Sequence, residues 1–272
     1  MTAGDVALHF LGLLVYPGIL LTLAVGAAAE FAVAILLDGD GVATALLSPL
    51  SGLRRAVLDA GPLVVGVALL AALAAAQVAV PLNPVSPVER SLLVAAAALA
   101  AAAWLVWSPG WTTAGARVAL VAQMCWLVAL LAPALVFESL RPQALGAVVV
   151  PAELPLKIAA GLLALLCLPA LLQVAPGVAP AAGAGGDLVR TARVFLWLPF
   201  CGLFASLFFP AGADDVGGVL RFLATAAGAA GVAIGLALLA ARGGTLGRVY
   251  PPLLGLLAIA VLAIAAVTST LT

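Results

Sequence analysis

The chain has 272 residues, 66% of them hydrophobic and 8% charged, with 11 basic and 11 acidic side chains and zero net charge. A soluble domain carries roughly 25% charged residues to cover its surface, so this composition excludes a soluble globular protein. Zero net charge also argues against nucleic acid as a partner, which requires a basic surface.

The apolar runs are rich in Ala, Leu and Val and lack the period-2 alternation of membrane β-strands. Lipid offers no partner for an unpaired backbone N–H or C=O, so such runs must be helical. Roughly 20 apolar residues cross a hydrocarbon core of about 30 Å. The chain therefore reads as an all-α, polytopic integral membrane protein with about eight transmembrane helices in a single membrane domain, 1–272.

The first span, about 6–37, is too long to stand upright and must tilt or extend past the membrane. Pro17-Gly18 in its first half predicts a kink. It lacks a basic leader and is longer than a signal-peptide core, so it reads as a retained helix. A polar break follows at Asp38-Gly39-Asp40-Gly41. The segment 43–60 interleaves apolar residues with Ser48, Ser51, Arg54, Arg55 and Asp59, which predicts an interfacial amphipathic helix broken at Pro49.

Further spans are expected at about 62–80, 91–107, 118–137, 154–172, 194–210, 219–241 and 252–271. Trp104, Trp107 and Trp111 cluster at one span end, as in an interfacial aromatic belt. The stretch 174–186 is a Pro/Ala/Gly connector. Arg54, Arg55, Arg117, Arg190, Arg193, Arg242 and Arg248 follow spans one, three, five and seven; Arg90, Arg141, Lys157 and Arg221 follow two, four and six. This bias of seven to four assigns the first set to the cytoplasm and both termini to the outside.

An ionisable group inside a span is costly and marks a functional hypothesis. Glu30, late in the first span, has two readings: a proton-relay carboxylate, or an interfacial one that snorkels or pairs with Arg54 or Arg55. His9, the only histidine, falls near the outer surface. Glu138 stands three residues before Arg141, a spacing for a local salt bridge, and Glu153 four before Lys157, the favourable order for a helical pair. Gln123 is expected to bond a neighbouring helix. Asp214 and Asp215 read as solvated loop residues. Cys125, Cys167 and Cys201 lie in apolar runs without ligand spacing and read as buried thiols. H-E-x-x-H, G-x-S-x-G, Walker A and D-D-x-x-D patterns are all missing, so the chain reads as a non-catalytic piece of a larger assembly.

Several stretches, in order, carry a resemblance. Tyr16-Pro17-Gly18 followed by Glu30 is similar to a first helix that opens on Pro-Gly and closes on glutamate. Ser48 to Arg55 is similar to a Q-P-L-x-D-x-x-K stretch. Gly115-Ala116-Arg117 through Gln123 resembles a G-A-x-R-x-x-x-Q helix opening. Phe195-Leu196-Trp197 through Pro210 resembles a helix ending in N-L-F-F-P-W, and Arg248 to Pro251 an R-x-x-x-P entry to a last helix. Together they resemble the membrane-anchor component shared by respiratory complex I, the NADH–quinone oxidoreductase, and the group 4 membrane-bound hydrogenases of the formate hydrogenlyase type. The chain departs from that pattern where Phe31 to Leu37 is wholly apolar, where Val128 replaces a membrane glutamate, and where 168–186 lacks acidic residues.

The resemblance implies a subunit of a redox-driven, ion-translocating complex in a prokaryotic plasma membrane, anchoring a hydrophilic arm and coupling it to an ion-pumping arm. It implies antiporter-like membrane subunits and hydrophilic redox subunits as partners, beside the bilayer itself. Iron–sulfur clusters, and nickel–iron or quinone chemistry, are expected on those partners, and no cofactor on this chain. Candidate proton-path residues are Glu30, Glu138 and Gln123; Arg54 and Arg55 would face the cytoplasmic partner. Under this reading Glu30→Gln lowers ion translocation and leaves assembly intact. The alternatives are a small-substrate membrane transporter and a membrane enzyme acting on a lipid or isoprenoid.

Overall fold

A computed structural model of the chain describes residues 3–42, 44–45, 61–107, 113–148, 150–175, 184–242 and 246–271. Among the described residues all regular structure is helical: α1 (Ala3–Leu14), α2 (Ile19–Val33), α3 (Gly61–Ala76), α4 (Leu92–Trp107), α5 (Thr113–Val136), α6 (Pro142–Ala147), α7 (Leu154–Leu171), α8 (Ala184–Arg193), α9 (Trp197–Phe208), α10 (Val216–Arg242) and α11 (Leu246–Leu271). The amphipathic segment expected at 43–60, with Arg54 and Arg55, lies outside the described residues except for Thr44 and Ala45, as do Trp111 and most of the 174–186 connector.

Six helical stretches are long and apolar enough to cross a membrane: Ile19–Asp38, Gly115–Val136, Leu154–Leu171, Leu188–Phe208, Val216–Arg242 and Val249–Thr270. Two shorter apolar helices, α3 and α4, accompany them. This is the fold of an all-α, multi-pass membrane protein. The expected first span is in fact two helices. Pro17 lacks an amide hydrogen and Gly18 has no side chain to hold a helical turn, so α1 stops at Leu14 and α2 starts afresh at Ile19. A π-turn, Ala34–Asp38, closes α2, and Gly39 leaves it in the left-handed conformation.

Connections alternate between the two ends of the bundle. At one end Asp38 pairs with Arg190 at 3.0 Å, and the Tyr250 hydroxyl donates to Leu166 O. At the other, Tyr16 donates to Pro81 O at 2.8 Å, Ala79 N to Ser206 Oγ at 3.0 Å and Leu92 N to Leu140 O at 2.7 Å. The short helices α3 and α4 thus pack as a hairpin whose turn lies at this second end.

The centre of the bundle is the continuous run of α8 and α9, which packs against α2, α3, α4, α6, α7 and α10. Of an 18-residue apolar window in Leu188–Phe208 89% is buried, against 33% in Ile19–Asp38 and 28% in Val249–Thr270, so the latter two lie at the rim of the bundle. The α9 sequence explains this. Trp197, Phe200 and Leu203 fill the interior, and Gly202, Ala205 and Ser206 let neighbours approach closely. The Trp126 and Phe200 rings meet edge to face at 5.2 Å.

On α2 the residues Thr22, Gly26, Glu30 and Val33 form one buried stripe. Gly26 lies so close to the turn between α8 and α9 that an added Cβ would stand 1.7 Å from Val194 O. Backbone cannot yield as a side chain does. Gly26→Ala is therefore expected to lower stability by about 1–3 kcal/mol, the usual range for overpacking. Gly228→Ala on α10, where a Cβ meets nothing within 4 Å, is the control and is expected to be neutral or mildly stabilising. Thermal unfolding of both variants in detergent checks this.

Candidate functional site

Glu30 is 6% exposed and Arg193 4%. They form a two-pronged ion pair: Arg193 Nε donates to Glu30 Oε1 at 2.6 Å and Nη2 to Oε2 at 2.7 Å. Trp197 Nε1, one turn further along, donates to Oε1 at 2.6 Å. The remaining guanidinium nitrogen, Nη1, donates to Gln173 O at 3.1 Å and Leu172 O at 3.4 Å. These carbonyls end α7, where the helix dipole is negative, so Arg193 neutralises Glu30 and caps a third span together. Glu30 sits roughly 12 Å from the Asp38 end of its span at 1.5 Å per residue.

The expected partners Arg54 and Arg55 lie outside the described residues. Among the described residues the carboxylate is held by Arg193, which sequence assigned to a loop. The chain remains helical from 184, so Arg190 and Arg193 belong to the Leu188–Phe208 span. A signal was present. Arg193 and Trp197 are one turn apart at the head of an apolar run, and an isolated span carboxylate needs a donor set of that kind.

The three proton-path candidates do not meet. Glu138 follows the end of α5, is exposed, and has a φ of +50°. The helix needed for an i, i+3 pair with Arg141 has ended, and among the described residues no ion pair joins them. Gln123 is 5% exposed, and among the described residues its Oε1 has no hydrogen-bond partner where an interhelical one is expected. No hydrogen bond joins Glu30, Gln123 and Glu138 among the described residues, and beside Gln123 on α5 the Trp126 ring packs on Phe200. Lys157 does not pair with Glu153. Its Nζ donates to Gly146 O at 2.7 Å and Val148 O at 2.8 Å, capping α6. Trp107, expected in an interfacial belt, is 1% exposed and packs inside, while Trp104 stays outward. The three cysteines are free and buried, and no group of three metal-ligating side chains occurs among the described residues.

A second polar centre, unmarked by sequence reading, organises the loop after α3. Asn83 Nδ2 donates to Ala76 O and Val78 O, both at 3.0 Å, and its Oδ1 accepts Val85 N at 3.0 Å. Arg90, 6% exposed, donates to Val85 O through Nε at 3.0 Å and Nη2 at 2.7 Å. Burial draws the Arg90 guanidinium below its ordinary pKa, and the nearby Asp214 carboxylate and Tyr16 act against it. Asp214 and Asp215 are exposed as expected but also tie backbone: Oδ1 of Asp214 accepts Leu82 N at 3.3 Å, and that of Asp215 accepts Gly218 N at 2.6 Å as an N-cap for α10. The signal was the run Pro81-Leu82-Asn83-Pro84 to Arg90, whose prolines leave carbonyls without amide partners.

Comparison with protein-family models and with characterised proteins finds no match for this chain. Its class rests on its own architecture, a helical membrane bundle held by a buried ion pair.

Removing one partner of a buried pair strands the other charge, which costs about 3–5 kcal/mol. Glu30→Gln and Arg193→Gln are each expected to cost that much in thermal unfolding, and the double variant clearly less than their sum. Trp197→Phe removes one charge-assisted bond and is expected to cost about 1.5–3 kcal/mol. Additive single effects would show that the pair contributes no coupling.

Proposed function

We propose that this chain is a membrane subunit of a complex I-like or hydrogenase-like, redox-driven ion-translocating assembly. It anchors the hydrophilic arm and links it to the ion-pumping arm in a prokaryotic plasma membrane, with both termini outside. It is a non-catalytic part of an oxidoreductase. Its partners are antiporter-like membrane subunits and hydrophilic subunits that carry the iron–sulfur clusters and the nickel–iron or quinone chemistry.

The observation that carries this reading is the contact between two stretches bearing the resemblance. The helix that follows Pro17-Gly18 and contains Glu30 packs on the helix from Trp197 to Phe208, joined through Glu30, Arg193 and Trp197. The rim supports it as well: large faces of Ile19–Asp38, Val216–Arg242 and Val249–Thr270 are unburied and apolar, as spans beside neighbouring membrane subunits are. Glu30, held by three donors, acts in this reading as a clamp that keeps the anchor rigid. A proton on it would have to break the pair with Arg193.

The transporter alternative has one point in its favour, since both α2 and α9 begin at breaks and meet. The break before α9 is filled by the ion pair and by Gly26, however, and neither break lines the cavities that adjoin Arg90 and Arg221.

An affinity-tagged full-length chain, extracted from its native membrane in mild detergent, is expected to bring down antiporter-like membrane proteins and iron–sulfur proteins in fixed ratio. Elution as a single active species would overturn the assignment. A single cysteine at Ser86, in a background with Cys125, Cys167 and Cys201 replaced by Ala, is expected to react with an impermeant maleimide added outside intact cells, and one at Gly39 is not. The reverse pattern would overturn the orientation.

A further inference from the structure

Two cavities adjoin at the end of the bundle where α3 ends and α10 begins. One, of about 320 Å³, is lined by Asn83, Arg90, Gln143 and Asp214 among others. The second, of about 230 Å³, runs along α9 and α10 and is lined by Phe209, Phe222 and Thr225, with Arg221 at its edge. They share Ala79, Ala211 and Gly212 as a common wall. A polar chamber therefore adjoins a mostly apolar one, at the level of the interhelical loops.

The charges in the polar chamber are placed for a ligand of both signs. Arg90 is nearly buried, yet no carboxylate of the described residues lies within 4 Å of it. Its Nε and Nη2 are spent on carbonyls, and its Nη1 edge makes no hydrogen bond among the described residues. Gln143 Oε1, on the same wall, is buried without a partner among the described residues. Asp214 uses Oδ1 on Leu82 N and leaves Oδ2 free of protein hydrogen bonds among the described residues. A buried cation with a free edge favours a phosphate oxygen, and a carboxylate across the chamber favours an ammonium.

We propose that the joined cavities hold a zwitterionic phospholipid of the ethanolamine type. Its phosphate lies on the Nη1 edge of Arg90 and its ammonium on Asp214, and the start of an acyl chain runs along Phe209 and Phe222. Position fits this occupant: the polar chamber lies among the loops, at headgroup level, and the apolar one extends along helices toward the hydrocarbon. The combined size suits a headgroup and the first part of a chain, and falls within the range of roughly 300–1,000 Å³ for small-molecule sites. The lipid would join α3, α9 and α10 at the end opposite the Glu30–Arg193 pair.

The test uses the full-length chain purified in detergent and stripped of loose lipid, examined by native mass spectrometry. It is then titrated with dioleoyl-phosphatidylethanolamine, dioleoyl-phosphatidylglycerol or inorganic phosphate. The wild type is expected to retain a single ethanolamine lipid, and millimolar phosphate is expected not to displace it. Arg90→Gln is expected to weaken retention about tenfold, the scale of one charge-assisted hydrogen bond. Asp214→Asn is expected to abolish the preference for ethanolamine over glycerol headgroups. Thr225→Trp, which fills the apolar chamber from a half-buried position, is expected to weaken retention of either lipid and serves if Arg90→Gln does not fold. No retained lipid in the wild type, unchanged retention in both Arg90→Gln and Thr225→Trp, or displacement by free phosphate would overturn the proposal. An unaltered headgroup preference in Asp214→Asn would overturn the ammonium site.

Discussion

The bidentate contact between Glu30 and Arg193 sets the arrangement of the bundle around it. Each charge alone would be expensive in hydrocarbon, and together they are acceptable because every strong donor or acceptor direction is used. The guanidinium faces the carboxylate with two nitrogens and the end of α7 with the third. One arginine thereby fixes the relative positions of α2, α7 and the central α8–α9 run. Apolar packing alone specifies this poorly, since lipid tails are as apolar as leucine and helices slide past one another at little cost. Gly26, on the same face one turn before Glu30, removes the side chain that would hold α2 away from the turn at Val194.

Cations elsewhere follow a related rule. Lys157 and Arg90 are both 6% exposed and both bind backbone carbonyls in place of carboxylates. Those carbonyls lie at the end of α6 and just beyond it, and in the proline-rich loop after α3. A chain so poor in polar residues has few side chains to satisfy broken backbone. Its scarce cations are placed where helices end. Ion pairs read from helical spacing, Glu153 with Lys157 and Glu138 with Arg141, do not form because the helix is absent or the cation is already engaged.

Much of the architecture was legible in the residues. The spans expected from about 62 onward coincide with helices to within a few residues, apart from the start of the sixth, because the length of an apolar run is itself the physical requirement for crossing a bilayer. Pro17-Gly18 marked the break in the first span for a local steric reason. The candidate site was legible only in half. Glu30 stood out as a charge in an apolar run. Its partner did not, because Arg193 sits beside a Pro/Ala/Gly stretch that resembles loop, and the one local sign, Trp197 a turn further on, does not show that the helix begins at 184 and carries Arg193 inward. Arg90 was hidden in the same way, by a loop whose burial depends on α9 and α10.

Composition and short-range backbone constraints were thus enough to make this a multi-pass helical membrane protein, to place most of its spans, and to single out one carboxylate among them. Which cation neutralises that carboxylate, which span is central, and whether the polar and apolar cavities adjoin were settled by the folded arrangement alone. Those facts join residues as far apart as Glu30 and Arg193, or Arg90 and Asp214. Contacts of that kind are set by how apolar surfaces pack, and a pattern of hydrophobicity along one chain does not encode which face meets which.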